Sequence, residues 1–207
     1  MKKLSPVFTV LFFIASINAQ SVETSTGRRP APEMSIAGVK LNDEASGRAF
    51  LAGYSFRRNE ANHPVYYFYD RYRTQVLAFT ALSPERRFLI TAAEIFSVGH
   101  TYMKTYYVLK DVPFQTESGF FLGDKPSAAA SIFGVSNRVG VKKLIARKGT
   151  PDERAKSGKI ETLRYAFSGS PAGDVPAGAY RAEYVFSDGK LDKLRIETEL
   201  LPQKRKQ

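Results

Sequence analysis

The stretch that decides the fold is SIFGVSNRVGVKKLIARKGTPDE, residues 131–153. Its apolar residues recur three and four positions apart, as they do on one face of a helix: Val141, Leu144 and Ile145. Gly149 supplies the left-handed residue that commonly ends a helix, and a proline two residues later prevents the helix from resuming. The pattern predicts a short amphipathic helix, whose start is capped by either Ser136 or Asn137.

Aromatic and polar residues alternate after this helix and predict three antiparallel strands, within residues 160–167, 180–186 and 191–196. Asp188-Gly189 lies between the last two strands and predicts a tight hairpin turn, because both residues accept positive φ at low cost. Residues 131–201 are therefore predicted to be one helix packed on an antiparallel β-meander.

An earlier stretch of the chain resembles the start of this unit. Residues 35–39, SIAGV, match residues 131–135, SIFGV, and a glycine follows at the same distance in each copy, at Gly53 and Gly149. The alternative is that short glycine patterns coincide by chance. We predict an α+β fold in which this unit is duplicated, with the first copy in residues 35–122.

An extra hairpin is predicted to lie between the two copies, within the first range, from Thr101 to Leu122. Two runs of alternating residues there are broken by the sequence DVP at 111–113. Residues 123–130 are predicted to link this hairpin to the second copy, and residues 202–207 to form a basic tail.

The first residues predict export. Lys2 and Lys3 precede an apolar run from Val7 to Ile17, which is too short to span a bilayer but suits a secretory signal peptide. We predict a signal peptide at residues 1–19 and a flexible segment at 20–34. No second long apolar run follows, so we expect a periplasmic or secreted protein without a transmembrane helix in the mature chain.

Side chains suited to catalysis are scarce. The chain has no cysteine, which excludes disulfides, thiol nucleophiles and thiolate metal sites. Its two histidines, His63 and His100, lie in predicted loops without the spacing of metal ligands, so we predict no metal or cofactor. A hydrolase-like enzyme with a site assembled around His63 or His100 remains the alternative, and a lipid carrier is a third option.

The charge of the chain indicates an anionic partner. There are 31 Lys and Arg residues against 20 Asp and Glu residues, which gives a net charge of +11. Export argues against nucleic acid, and leaves acidic envelope or secreted proteins, anionic lipids and other polyanions. The alternative is an evenly solvated basic surface that binds nothing in particular.

Tyrosine and arginine are concentrated in the first copy, and both residue types are enriched at binding hot spots. The alternative is that the tyrosines fill an ordinary half-buried strand. The sequence therefore predicts an exported, non-enzymatic binding protein that uses an aromatic and basic sheet face, with these candidate residues: Tyr66, Tyr67, Tyr69, Arg71, Tyr72 and Arg73.

The second copy resembles the module of SmpA/BamE-type envelope proteins, which the tandem β-lactamase inhibitor proteins repeat twice. The resemblance rests on the following residues: Gly134, Val141, Leu144, Gly149, Pro151, Tyr165, Phe167, Tyr184, Phe186, Gly189 and Leu194. It implies an α+β layer and protein binding through the sheet face or the hairpin tips. The chain departs from both groups in having no cysteine, whereas the former are lipid-anchored through cysteine and the latter usually carry disulfides.

Overall fold

The computed structural model describes residues 33–98, 106–120, 122, 140–169 and 178–200. The elements of the first part of the chain are β1 (Ser35–Ile36), β2 (Val39–Lys40), α1 (Glu44–Leu51), β3 (Arg57–Arg58), β4 (Pro64–Asp70), β5 (Gln75–Ala81), β6 (Ile90–Ser97) and β7 (Tyr107–Leu109). Those of the second part are α2 (Val141–Lys148), β8 (Glu153–Ser157), β9 (Ile160–Gly169), β10 (Gly178–Ser187) and β11 (Lys190–Leu200).

One sheet of nine strands organises the molecule. Its strand order is β3-β4-β5-β6-β11-β10-β9-β8, and neighbours along this path pair antiparallel. β7 pairs with β4 in parallel, outside this path. The two parts of the chain join where β6 pairs with β11, with Glu94 opposite Arg195. We call β3 to β7 the first half of the sheet, and β8 to β11 the second half.

The prediction of a duplicated α+β unit, a short helix packed on a separate meander, is wrong. Strands make up 49% of the described residues and helices only 12%, and the strands of both halves form one large sheet. The physical reason is the size of the helices. Each has eight residues and buries only two of them, so the strands supply most of the core.

The inner face of the sheet carries the hydrophobic core. Side chains alternate between the two faces of a strand, so strand register determines which residues meet. One buried row crosses six strands in register: Tyr66, Phe79, Ala93, Ile196, Ala182 and Tyr165. The helices, the β1–β2 hairpin and the segment 114–122 contribute the other members of the core.

The start of α1 has an acidic cap. Asp43 accepts a hydrogen bond from the backbone N–H of Ser46, and the acidic Glu44 lies in the first turn. Gly47 packs directly on the chain between β5 and β6, where a Cβ atom would lie 2.0 Å from the carbonyl oxygen of Phe88. A glycine that weakens the helix is therefore required by close packing.

The predicted second helix is confirmed at Val141–Lys148, and it ends at Gly149 with φ 78 as expected. Its N-cap is Gly140, which has no side-chain hydrogen bond, whereas the predicted caps Ser136 and Asn137 lie outside the described residues. The Asp188-Gly189 turn is also confirmed, with φ of 50 and 73. The sequence failed to predict β8, which pairs with β9 through a turn containing Gly158 at φ 58.

The predicted hairpin between Thr101 and Leu122 is not what the described residues form. β7 pairs in parallel with β4, and Thr116 bridges to Ile36 of β1, so this part of the chain contacts two different elements. Both contacts belong to the first half of the sheet and its β1–β2 hairpin.

Several predicted segments lie outside the described residues: the signal peptide, most of the flexible segment, the linker and the basic tail. Within the described ranges, no helix is long and apolar enough to cross a membrane.

Candidate functional site

The six candidate residues do not share one exposed face. Tyr66 points inward and is 1% exposed, while Tyr67 and Tyr69 point to the outer face of β4. Tyr69 is also 1% exposed, and Tyr67 is half-buried. The structure therefore leaves Arg71, Tyr72 and Arg73 as the exposed members of the set.

An aromatic cluster, formed by Tyr67, Tyr69 and Tyr106, lies on the outer face of the first half. The rings of Tyr67 and Tyr106 are stacked, with centroids 4.6 Å apart and planes 8° apart, and Tyr69 lies 5.1 Å from Tyr106. Burial raises the pKa of Tyr67, and the charge of Glu94 adds to this effect. The phenol of Tyr67 therefore stays neutral at physiological pH. The packed rings of this cluster cover part of the outer face of the first half.

A row of alternating charges crosses the outer face of the second half instead and reaches β6, the neighbouring strand of the first half. In register across five strands lie Glu94, Arg195, Glu183, Arg164 and Glu153. Arg195 donates to Glu94 at 3.0 Å, and Arg164 donates to Glu183 at 2.8 Å and to Glu153 at 3.1 Å. In this ion-pair row, two guanidinium groups pair with three carboxylates, so the row offers no net positive charge to an anionic partner.

The turn between β4 and β5, residues 70–74, projects the three exposed candidates. Tyr72 is 45% exposed between Arg71 and Arg73, and the Arg71 guanidinium lies 6.0 Å from the Tyr72 ring. This is a short basic and aromatic tip at one end of the sheet.

The Asp70 carboxylate holds this turn in shape through three hydrogen bonds. It accepts hydrogen bonds from the Thr74 backbone N–H at 2.6 Å, the Thr74 hydroxyl at 2.9 Å and the Gln75 backbone N–H at 2.9 Å. Arg73 adopts φ 55, a left-handed conformation that costs about 1 kcal/mol for a residue with a Cβ atom. The turn is therefore fixed in shape and holds a strained arginine.

Comparison with known proteins adds no relative. No protein-family model, no curated protein and no solved structure matches the chain. The resemblance to SmpA/BamE-type proteins stays a prediction.

His63 has a structural environment. Its Nδ1 lies 2.8 Å from the carbonyl oxygen of Leu82, and because a carbonyl only accepts, Nδ1 carries the hydrogen. Its backbone N–H donates to Asn59. No group of three His, Asp or Glu residues that could hold a metal ion occurs within the described ranges, and His100 lies outside them.

A second exposed tip was missed from the sequence. The β8–β9 and β10–β11 turns contact each other, since the backbone N–H of Asp188 donates to the carbonyl of Lys159 at 3.0 Å. Ile160 follows Lys159 and is 51% exposed, and Lys190 ends the neighbouring turn. We call Lys159, Ile160 and Lys190 the lysine tip. The available signal was an isoleucine next to Gly158-Lys159, where a turn residue is expected to be polar.

A buried polar cluster was also missed. Glu33 Oε1 lies 2.6 Å from Lys148 Nζ, and both side chains are almost fully buried. Oε1 accepts no well-aligned hydrogen bond, so the attraction is that of an ion pair. The hydroxyl of Tyr184 is buried without a partner, and burial, together with the charge of Glu33, holds the pKa of Tyr184 well above its ordinary value.

Proposed function

We propose that the protein is an exported, non-enzymatic binding protein and that the turn at residues 70–74 contacts an acidic surface of another envelope or secreted protein. The observation that supports the proposal is a turn that the hydrogen bonds of Asp70 hold in shape and that exposes Tyr72 between two arginines. Export rests on the basic and apolar pattern of residues 1–19.

The fixed shape of the turn supports a role in specific binding. A segment that is already ordered loses little conformational freedom on association, so more of the contact energy appears as affinity. The strain at Arg73 is maintained by the hydrogen bonds of Asp70, and strain that the surroundings maintain is concentrated at functional positions.

The residue types favour an acidic protein as the partner. Tyrosine and arginine dominate binding hot spots, and the planar guanidinium group suits bidentate contact with carboxylates. Two arginines beside an exposed tyrosine are a local basis for recognition, whereas the net charge of a chain concerns its solubility as much as its partners.

The enzyme alternative has less support. His63 is engaged by a backbone carbonyl and by Asn59, and none of its hydrogen bonds goes to a carboxylate or a hydroxyl. The lipid carrier needs an apolar cavity, and no observation on the described residues favours one.

The test compares two pairs of exposed arginines. In one variant, Arg71→Gln and Arg73→Gln are combined with Tyr72→Ala. In the matched control, Arg86→Gln and Arg87→Gln alter the β5–β6 turn at the opposite end of the sheet. Each protein is used to capture partners from an envelope extract, and the captured proteins are quantified by mass spectrometry.

We expect an acidic protein that the unaltered chain and the control retain, and that the turn variant loses at least tenfold. If the turn variant captures the same proteins as the unaltered chain, the proposal is wrong. Arg73→Gly serves as a folding control, because glycine removes the guanidinium while relieving the backbone strain. It should weaken capture without lowering the melting temperature.

A further inference from the structure

The lysine tip, formed by Lys159, Ile160 and Lys190, combines exposed apolar surface with positive charge. Ile160 is opposite Ser157 in β8 and Ser187 in β10, and Ser187 is opposite Lys190 in β11. These residues therefore lie in one row across four strands. Ile160 has the largest exposed fraction among the large hydrophobic side chains within the described ranges.

Further lysines lie on the elements that meet at this tip. Lys156 is exposed near the end of β8, and Lys142 is exposed in the first turn of α2. α2 begins beside the β10–β11 turn, since a Cβ at Gly140 would lie 3.8 Å from the carbonyl oxygen of Gly189.

Acids also lie beside these lysines. Asp188 pairs with Lys159 at 3.2 Å, but this pair is highly exposed and therefore weak. Glu161, which lies opposite Lys156, pairs with Arg154 at 2.6 Å.

We infer that the lysine tip docks the protein on an anionic lipid bilayer, with Ile160 entering the headgroup region and the lysines facing lipid phosphates. This contact goes beyond the proposed function, which concerns another protein and the turn at residues 70–74. It rests on a different observation at a separate pair of turns.

The residue types at the two tips favour different partners. Lysine is depleted in protein interfaces, and its strongly hydrated ammonium group suits a mobile headgroup layer. An apolar side chain together with several basic residues is a combination that binds membrane surfaces reversibly. Each lysine near an anionic surface strengthens the attraction about fivefold.

The absence of tryptophan from the chain allows a local test. Ile160→Trp places a single tryptophan at the lysine tip, and Tyr72→Trp places one at the turn of the first half. Both full-length proteins are titrated with vesicles of phosphatidylcholine mixed with phosphatidylglycerol, and with vesicles of phosphatidylcholine alone. A local reporter separates docking at the tip from any contact made elsewhere in the chain.

We expect the emission of the Ile160→Trp protein to shift to shorter wavelength with the anionic vesicles only, and the Tyr72→Trp protein to show no shift. Adding Lys159→Gln and Lys190→Gln should raise the lipid concentration at half-maximal shift about 25-fold, since each lysine accounts for about fivefold. Adding Arg86→Gln and Arg87→Gln instead should change it little.

Three outcomes would overturn the inference: no shift at position 160, an equal shift with neutral vesicles, or an equal shift at position 72. The last would indicate general adhesion of a basic protein. None of them changes the capture result expected for the turn at residues 70–74, so the two proposals fail separately.

Discussion

The outer faces of the two halves of the sheet differ in how far their side chains are exposed to solvent. In the first half, outward-pointing side chains such as Val65, Tyr69 and Val76 are at most 4% exposed. In the second half, the outer face carries the ion-pair row, whose Arg164 and Glu153 side chains are 52% and 68% exposed. Antiparallel pairing alone therefore does not determine whether a sheet face is available to solvent or to a partner.

The largest expected effect tests whether burial determines how much an ion pair matters for the free energy of unfolding. Lys148→Met should lower the free energy of unfolding by about 4 kcal/mol, because it leaves Glu33 buried without its cation. Arg164→Met removes the ion pairs of an exposed side chain and should have a far smaller effect. Denaturation in urea measures both.

Equal losses in these two variants would show that burial does not set the cost. The double variant Glu33→Gln and Lys148→Met provides a further check. It removes both charges, and we expect it to recover part of the stability that Lys148→Met loses.

A smaller effect is expected within the outer face itself. Tyr69→Ala should lower the free energy of unfolding by about 3 kcal/mol, because the ring is fully buried and its removal leaves a cavity. Val185 lies in the same row of the outer face in the second half and is half-buried, so Val185→Ala should cost less. A loss at Val185 as large as that at Tyr69 would contradict the difference between the faces.

The smallest expected effect concerns the buried phenols of the inner face. Tyr184→Phe should raise the free energy of unfolding by about 1 kcal/mol at neutral pH, because it removes a buried hydroxyl that has no partner. Tyr72→Phe alters an exposed hydroxyl and serves as the control. Thermal denaturation of both variants would show whether only the buried position responds.

The same residue predicts a response to alkaline pH. Burial raises the pKa of Tyr184 well above the ordinary value of 10.0, so the folded state keeps the proton where the unfolded state releases it. Titration of this residue leaves the free energy of unfolding unchanged below pH 10.0 and lowers it as the pH rises further. Tyr184→Phe should reduce that alkaline loss, and an unchanged pH profile would contradict the assignment.

The sequence predicted local elements better than their assembly. The helix spacing, Gly149 and the Asp188-Gly189 turn depend on neighbouring residues, and all three are found in the structure. Pairing of β6 with β11 joins residues about a hundred positions apart, so no local pattern indicates it. The predicted hairpin failed for the same reason, because β7 pairs with a distant strand.

The sequence contains a signal for the burial of the candidate face. Residues 65–69 read VYYFY, a continuous apolar and aromatic run, and such a run is typical of a strand that is buried on both faces. The alternation of YRAEYVF in residues 180–186 is typical of a strand with one solvated face, as is found there. Tyr72 lies beyond the continuous run, on the turn, and only its type and loop position indicated its exposure.

The position of β11 has a consequence for how the chain acquires its structure. β11 is the last described strand, yet it lies at the centre of the sheet between β6 and β10. A nascent chain that ends before residue 200 therefore lacks the strand that joins β6 to β10. Premature termination before β11 would leave two separate groups of strands, with β6 and β10 as unpaired edges. Loss of β3 or β8 would remove only an edge strand.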